Sequence, residues 1–276
     1  MTRLARRLAP PALAAAIAIS WPAWVLAQTA AAPGKPGARG RPTPAAAPAG
    51  APVTRFRLVL NASAVPGTLS YSDVRTPTAY AEPSTIRTSY EAGSGFGLDG
   101  ALQVSLYKGL GVLVGYSNVT RHATGTVDVT RPHPLYLNRP RTASAELSGY
   151  AYSEGAFDID AAYARSAGSF DWALFAGVTL FQVDADLLEA PTFDERYPYD
   201  ELTILSTPSQ AVSQSATGFN VGGRLDYRFG SSRRFGLGLQ VRYSSASVAL
   251  KVGTDATAAS IDAGGLAGGG GLRLYF

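Results

Sequence analysis

Phe219, Val221, Leu225, Tyr227 and Phe229 are apolar, and Asn220, Arg224, Asp226 and Arg228 alternate with them. A strand sends successive side chains to opposite faces, so this segment has one greasy side and one charged side. After the turn Gly230-Ser231-Ser232 the pattern returns, with Phe235, Leu237, Leu239, Val241 and Tyr243 opposing Gly236, Gly238, Gln240, Arg242 and Ser244. It recurs earlier, in Phe96, Leu98, Leu102, Val104 and Leu106 and in Leu110, Val112, Val114 and Tyr116. Further on, Leu147, Phe157, Ile159 and Tyr163 oppose Glu146, Tyr150, Tyr152, Glu154, Asp158 and Asp160. Helical spacing is nearly absent from residue 55 onward, which leaves an all-β chain.

The residues between the apolar ones decide what kind of β protein this is. A water-facing sheet carries Lys, Glu and Thr; here the polar face is mostly Gly, Ser, Tyr, Arg and Asp. Charged residues make up 16% of the chain, against roughly 25% in an ordinary soluble domain. Strands of about ten residues with a continuous apolar face fit an antiparallel up-and-down transmembrane β-barrel, in which closure pairs every backbone group.

Connection lengths give the topology. Lys108-Gly109, Ser166-Ala167-Gly168-Ser169 and the five residues after Phe229 are short turns. The alternate connections are long, at 66–94, 120–141, 185–215 and 247–260. Short turns on one side and long loops on the other, with both ends of the barrel on the short side, count to eight strands. Their starts are expected near Arg55, Gly95, Leu110, Glu146, Trp172, Thr217, Phe235 and Ile261. Ten strands result if 66–94 is another membrane hairpin. Phe56, Tyr107, Phe170, Trp172, Phe229, Phe235 and Phe276 fall at the short-turn ends as an interfacial girdle, with Tyr116, Phe219 and Tyr243 towards the other interface.

The first 53 residues read differently. Arg3, Arg6 and Arg7, an apolar stretch to Val25, and Val25-Leu26-Ala27 have the form of a secretory signal cleaved after Ala27. No cysteine follows to make a lipoprotein. Residues 28–53, mostly Ala, Pro and Gly, predict a disordered linker. Six of the 24 basic residues precede residue 54 and none of the 20 acidic ones do, leaving 18 against 20 in the remainder. The net charge of +4 therefore does not mark a nucleic-acid binder. With zero cysteines and two histidines, thiolate zinc, disulfide and cysteine-nucleophile chemistry are excluded.

Taken together, the signal ending Val25-Leu26-Ala27, the alternation, and the close Gly268-Gly269-Gly270-Gly271-Leu272-Arg273-Leu274-Tyr275-Phe276 resemble small Gram-negative outer-membrane β-barrels. These are the porin-like or OmpA/OmpX/OmpW-type proteins. The resemblance covers residues 54–276 and implies a cell-outer-membrane location reached through the periplasm. It also implies that Leu272, Leu274 and Phe276 form the signal read by the barrel-assembly machinery. Because the sequence stops at the last strand, wall anchoring by a following domain is not expected. Outer-membrane lipid and lipopolysaccharide are the expected surroundings, and a monomer the expected state.

The alternation places Arg57, Asp99, Glu146, Glu154, Asp158, Asp160, Arg224, Asp226, Arg228, Arg242 and Arg273 in the lumen, five cations against six anions. An eight-stranded interior is just wide enough for side chains to fill, and buried charges there must pair. The expected result is a salt-bridged structural core with a surface-interaction role for the loops. A narrow gated pore is the alternative. Residues 121–141 are basic (Arg121, His122, Arg131, His133, Arg139, Arg141) and 184–201 acidic (Asp184, Asp186, Glu189, Asp194, Glu195, Asp200, Glu201). They either pair across the mouth or meet lipopolysaccharide phosphates and divalent cations respectively. The acidic spacing is not an EF-hand. An outer-membrane lipid enzyme would need a serine near His122 or His133, and neither Ser117 nor Ser244 forms a motif with them. No catalytic set, metal site or cofactor is assigned.

Overall fold

The computed structural model describes residues 55–250 and 259–276. The candidate signal over 1–27 and the linker over 28–53 lie outside the described residues. Eight long antiparallel strands form a closed ring: β1 (Phe56–Val65), β2 (Gly95–Tyr107), β3 (Leu110–Pro132), β4 (Pro140–Ala167), β5 (Phe170–Leu188), β6 (Ser209–Phe229), β7 (Phe235–Leu250) and β8 (Ala259–Tyr275). Each pairs with its neighbours in sequence, and β1 zips to β8 from Arg57↔Tyr275 to Ala64↔Gly268. Closure removes the edges that an open sheet would expose to lipid.

The short turns are as tight as their residues allow. Lys108 and Gly109 both have positive φ, +47° and +95°, the two-residue geometry whose twist matches that of paired strands. A Cβ on Gly109 would come within 2.5 Å of the Ala164 carbonyl oxygen.

Outside the ring runs an apolar belt. Leu98, Leu174, Val178, Leu225, Leu237, Leu239 and Leu272 are exposed on it, and so are all seven girdle aromatics from Phe56 to Phe276. From Phe219 to Phe229 there are ten residue steps. At about 3.3 Å per step and a tilt of about 40°, the belt is about 25 Å tall, the height of an outer-membrane hydrocarbon layer.

Several strands continue well past this belt and exchange faces as they do. On β3 the outward side chains pass from Leu110, Val112, Val114 and Tyr116 to Thr120, His122, Thr124, Thr126, Asp128 and Thr130. The inward ones pass from Gly111, Gly115 and Ser117 to Ala123, Val127 and Val129. Likewise β5 turns Trp172, Leu174 and Val178 outward below, and Gln182, Asp184 and Asp186 outward above. The lower storey is polar inside and greasy outside, as lipid requires; the upper storey has the reverse pattern, as water requires. Its apolar core gathers Tyr71, Tyr90, Val127, Leu147, Tyr152, Phe181, Val183 and Ile261. The Tyr71 and Tyr90 rings stack at 4.8 Å, and the Tyr90 hydroxyl accepts the Leu188 N–H at 2.8 Å.

Two expectations need correction here. Residues 120–141 are not mainly loop, because β3 runs to Pro132 and β4 starts at Pro140. The connection expected over 185–215 shortens to 189–208, because β5 runs to Leu188 and β6 starts at Ser209. The region 66–94 is not a ninth and tenth membrane strand either. Its hairpin, Leu69–Arg75 paired with Thr85–Ala92, continues β1 and β2 upward and bonds to β3 from Ala92↔Ala123 to Thr85↔Thr130. Ser70, Ser72, Ser89 and Glu91 face outward from it, a surface made for water. Arg121 holds the two interruptions together, donating to the Gly93 carbonyl at 3.0 Å and the Gly67 carbonyl at 3.5 Å.

Candidate functional site: the charged lumen and the capped mouth

Ten of the eleven expected lumen charges face inward. Nearest the short turns lies a basic layer. Arg57 forks between two carboxylates, reaching Asp171 at 3.0 Å and Asp226 at 3.3 Å. Arg228 meets Asp171 at 2.6 Å, Arg273 meets Asp226 at 2.7 Å, and Arg224 lies 3.4 Å from Asp226. The Tyr275 ring is flanked by Arg57 and Arg228, with centroid distances of 4.8 and 5.2 Å.

Above this is an acidic layer. Asn61 links the two, accepting from Arg273 at 2.6 Å and donating to Asp99 at 2.7 Å. Arg242 meets Asp158 at 2.5 Å. Asn220 donates to Asp160 at 2.7 Å and Thr179 to Asp158 at 2.6 Å. A cavity of about 10 Å³ remains between Asp99, Asp158, Asp160 and Arg242, space for about one water. Higher still, Glu154 sits 4.0 Å from Arg121 and accepts the Tyr152 hydroxyl at 2.8 Å.

In a ring of eight, strands four apart stand on opposite walls. Arg57 on β1 reaches Asp171 on β5. Arg242 on β7 donates to the Ser117 hydroxyl on β3 at 2.7 Å. The Gly264 N–H on β8 donates to Glu154 on β4 at 3.0 Å. Three separate contacts therefore cross the full diameter, at three heights.

Glu146 departs from the expectation and faces solvent, while Leu147 points in. Between Ala123↔Tyr150 and Gly125↔Leu147, β4 carries one more residue than β3. The bulge forms at Gly149, with φ +78°, and one extra residue reverses every side chain beyond it. Sequence reasoning missed Asp171, Asn61, Ser117, Thr179 and Asn220. Asp171 falls just before the expected strand start at Trp172, yet Trp172 and Leu174 facing out already imply that 171 faces in.

At the mouth the basic and acidic stretches meet. Arg131 and Arg141 converge on Glu195 at 3.1 and 2.7 Å, and the Tyr80 hydroxyl donates to it as well. Arg131 is held between the Tyr80 and Phe193 rings, at 5.3 and 4.8 Å. Arg141 also donates to the Pro132 and Tyr199 carbonyls, and Arg139 meets Asp200 at 3.0 Å. The basic and acidic stretches thus pair across the mouth, the first of the two arrangements expected of them. Burial would raise the Glu195 carboxyl, but the Tyr80 and Arg141 hydrogen bonds and the Arg131 and Arg141 charges outweigh it and hold it below the usual glutamate range.

His122 points outward from β3 whereas Ser117 points inward to Arg242. His133 is buried in the cap, where its Nδ1 accepts the Leu135 N–H at 3.1 Å.

No family model matches the sequence, and no curated protein matches it. Solved structures similar to it include Neisserial surface protein A, at 12% identity and TM-score 0.39 over 80% of this chain and 97% of that one. The outer membrane protein OprG from Pseudomonas aeruginosa gives 12% identity and TM-score 0.45 over 81% and 96%. The outer membrane protease OmpT from Escherichia coli gives 9% and 0.42 over 81% and 98%. These are likenesses of architecture, and the chain's own closed ring and apolar belt make it a β-barrel of the outer-membrane type.

Proposed function

We propose that this protein is a sealed outer-membrane anchor that holds a stiff, β-built platform above the membrane for contact with extracellular partners. The observation that carries this reading is the crossing of the lumen on three diameters by Arg57–Asp171, Arg242–Ser117 and Glu154–Gly264. An ion crossing the barrel would have to break one buried ion pair and two hydrogen bonds to charged groups in a low-dielectric interior, where such groups are costly to leave unpaired. The upper storey is correspondingly rigid, since its strands are continuous with the membrane strands and its mouth is bound by the Glu195 cluster.

Planar-bilayer recording of the purified protein tests the seal. Silence over the whole voltage range is expected. Sustained conductance steps from the unmodified protein would replace this reading with that of a pore.

A further inference from the structure

We propose that the basic layer of the lumen binds a chloride-sized inorganic anion. Arg57, Arg224, Arg228 and Arg273 face two carboxylates, Asp171 and Asp226, so the layer carries two cations in excess. Asp226 alone serves three of the four guanidiniums. The side chain of Arg224 is 0% exposed, and its Nε, Nη1 and Nη2 all lack a hydrogen-bond partner among the described residues. Arg57 Nε, Arg228 Nε, Arg273 Nη2 and the Tyr275 hydroxyl are buried and unpartnered in the same layer. A buried guanidinium has five donors and no acceptor, and an uncompensated buried charge is costly. The layer is thus rich in donors, short of acceptors and positive, the three properties that select an anion.

No carboxylate from above pairs directly with this layer among the described residues. The acidic layer's Asp99 reaches the basic one only through Asn61, which already accepts from Arg273. Size is set by burial: with Arg224 wholly enclosed, a phospholipid headgroup is excluded and a small ion is the ligand proposed. The layer's most exposed guanidiniums are those of Arg57 and Arg228, with 11% and 10% of their side chains exposed.

The test is thermal unfolding of the refolded full chain in detergent at fixed ionic strength, in sodium chloride, sodium bromide or sodium gluconate. The halides are expected to raise the midpoint over gluconate by on the order of 5 °C, with a saturating concentration dependence. Arg224→Met should abolish the halide difference. Equal midpoints in halide and gluconate would mean that water alone fills the layer and would overturn the proposal. So would a halide effect that persists in Arg224→Met. Should that variant fail to refold, crystals of the unmodified protein grown in bromide decide the matter. An anomalous peak within hydrogen-bonding distance of Arg224 supports the site, and none there removes it.

Discussion

Asp171 and Asp226 are direct cross-strand neighbours on the inner wall, both with fully buried side chains. Like charges so placed repel, and the pair is tolerable because Arg57 forks across the barrel to both. Arg57→Met should therefore cost about 1.5–3 kcal/mol of unfolding free energy, the scale of a lost hydrogen bond to a charged group, because Asp171 keeps Arg228 and Asp226 keeps Arg273. Urea unfolding in lipid vesicles measures it. The double variant Arg57→Met/Asp171→Asn should recover a large part of the loss, and equal instability of single and double variants would show that Arg57 acts by packing alone.

The face exchange predicts opposite tolerances at two outward positions. Leu239→Arg places a charge on the lipid face and should cost about 2–4 kcal/mol if it lies near the midplane. Thr124→Arg, outward on the same barrel but above the belt, should change stability by less than about 0.5 kcal/mol. Paired unfolding titrations compare them, and equal costs would place Thr124 in lipid.

Orientation can be read with single cysteines, since the chain has none of its own. Tyr197→Cys, on an 81% exposed residue of the mouth, should react with a membrane-impermeant maleimide on intact cells. Lys108→Cys, in a short turn, should react only after the cells are opened. The reverse pattern would invert the barrel.

The cap should loosen in acid. Glu195 is held below its ordinary value of 4.5, so its contribution is complete above that value. It is lost as the pH falls through the depressed folded value. Hydrogen exchange at 133–139 and 192–206 should accelerate only below pH 4.5. Glu195→Gln should exchange fast at neutral pH and lose that dependence.

Gly149 sets the parity of the upper part of β4. Its φ of +78° disfavours any residue with a Cβ, so Gly149→Ala should cost about 1–2 kcal/mol. No heavy atom lies within 4 Å of the added methyl, so an effect that size would come from backbone conformation and not from crowding. An unchanged unfolding midpoint would show that the bulge does not depend on glycine.

The membrane half was legible in the sequence because lipid imposes one simple rule, alternation of greasy and polar residues. Phe235–Tyr243 shows it without interruption, and Phe219–Phe229 with a single gap at Gly223. The upper half obeys the same period with the faces exchanged, and residues such as Thr124, Thr126, Asp128 and Thr130 look like a polar loop unless Ala123, Val127 and Val129 are read between them. Glu146 was misplaced because a one-residue bulge leaves no mark in the pattern except a glycine. The partners of Arg57 and Arg242 were beyond sequence reasoning, since diametric contacts depend on how many strands close the ring.

The exchange of faces also divides the protein between two solvents. The lower half is held by hydrocarbon around it and the upper half by a core of its own, much as a water-soluble sandwich is. Removing lipid should thus strip the support from one half while leaving the other's intact. The platform is then a candidate for survival as folded β-structure after the membrane segment has lost its order.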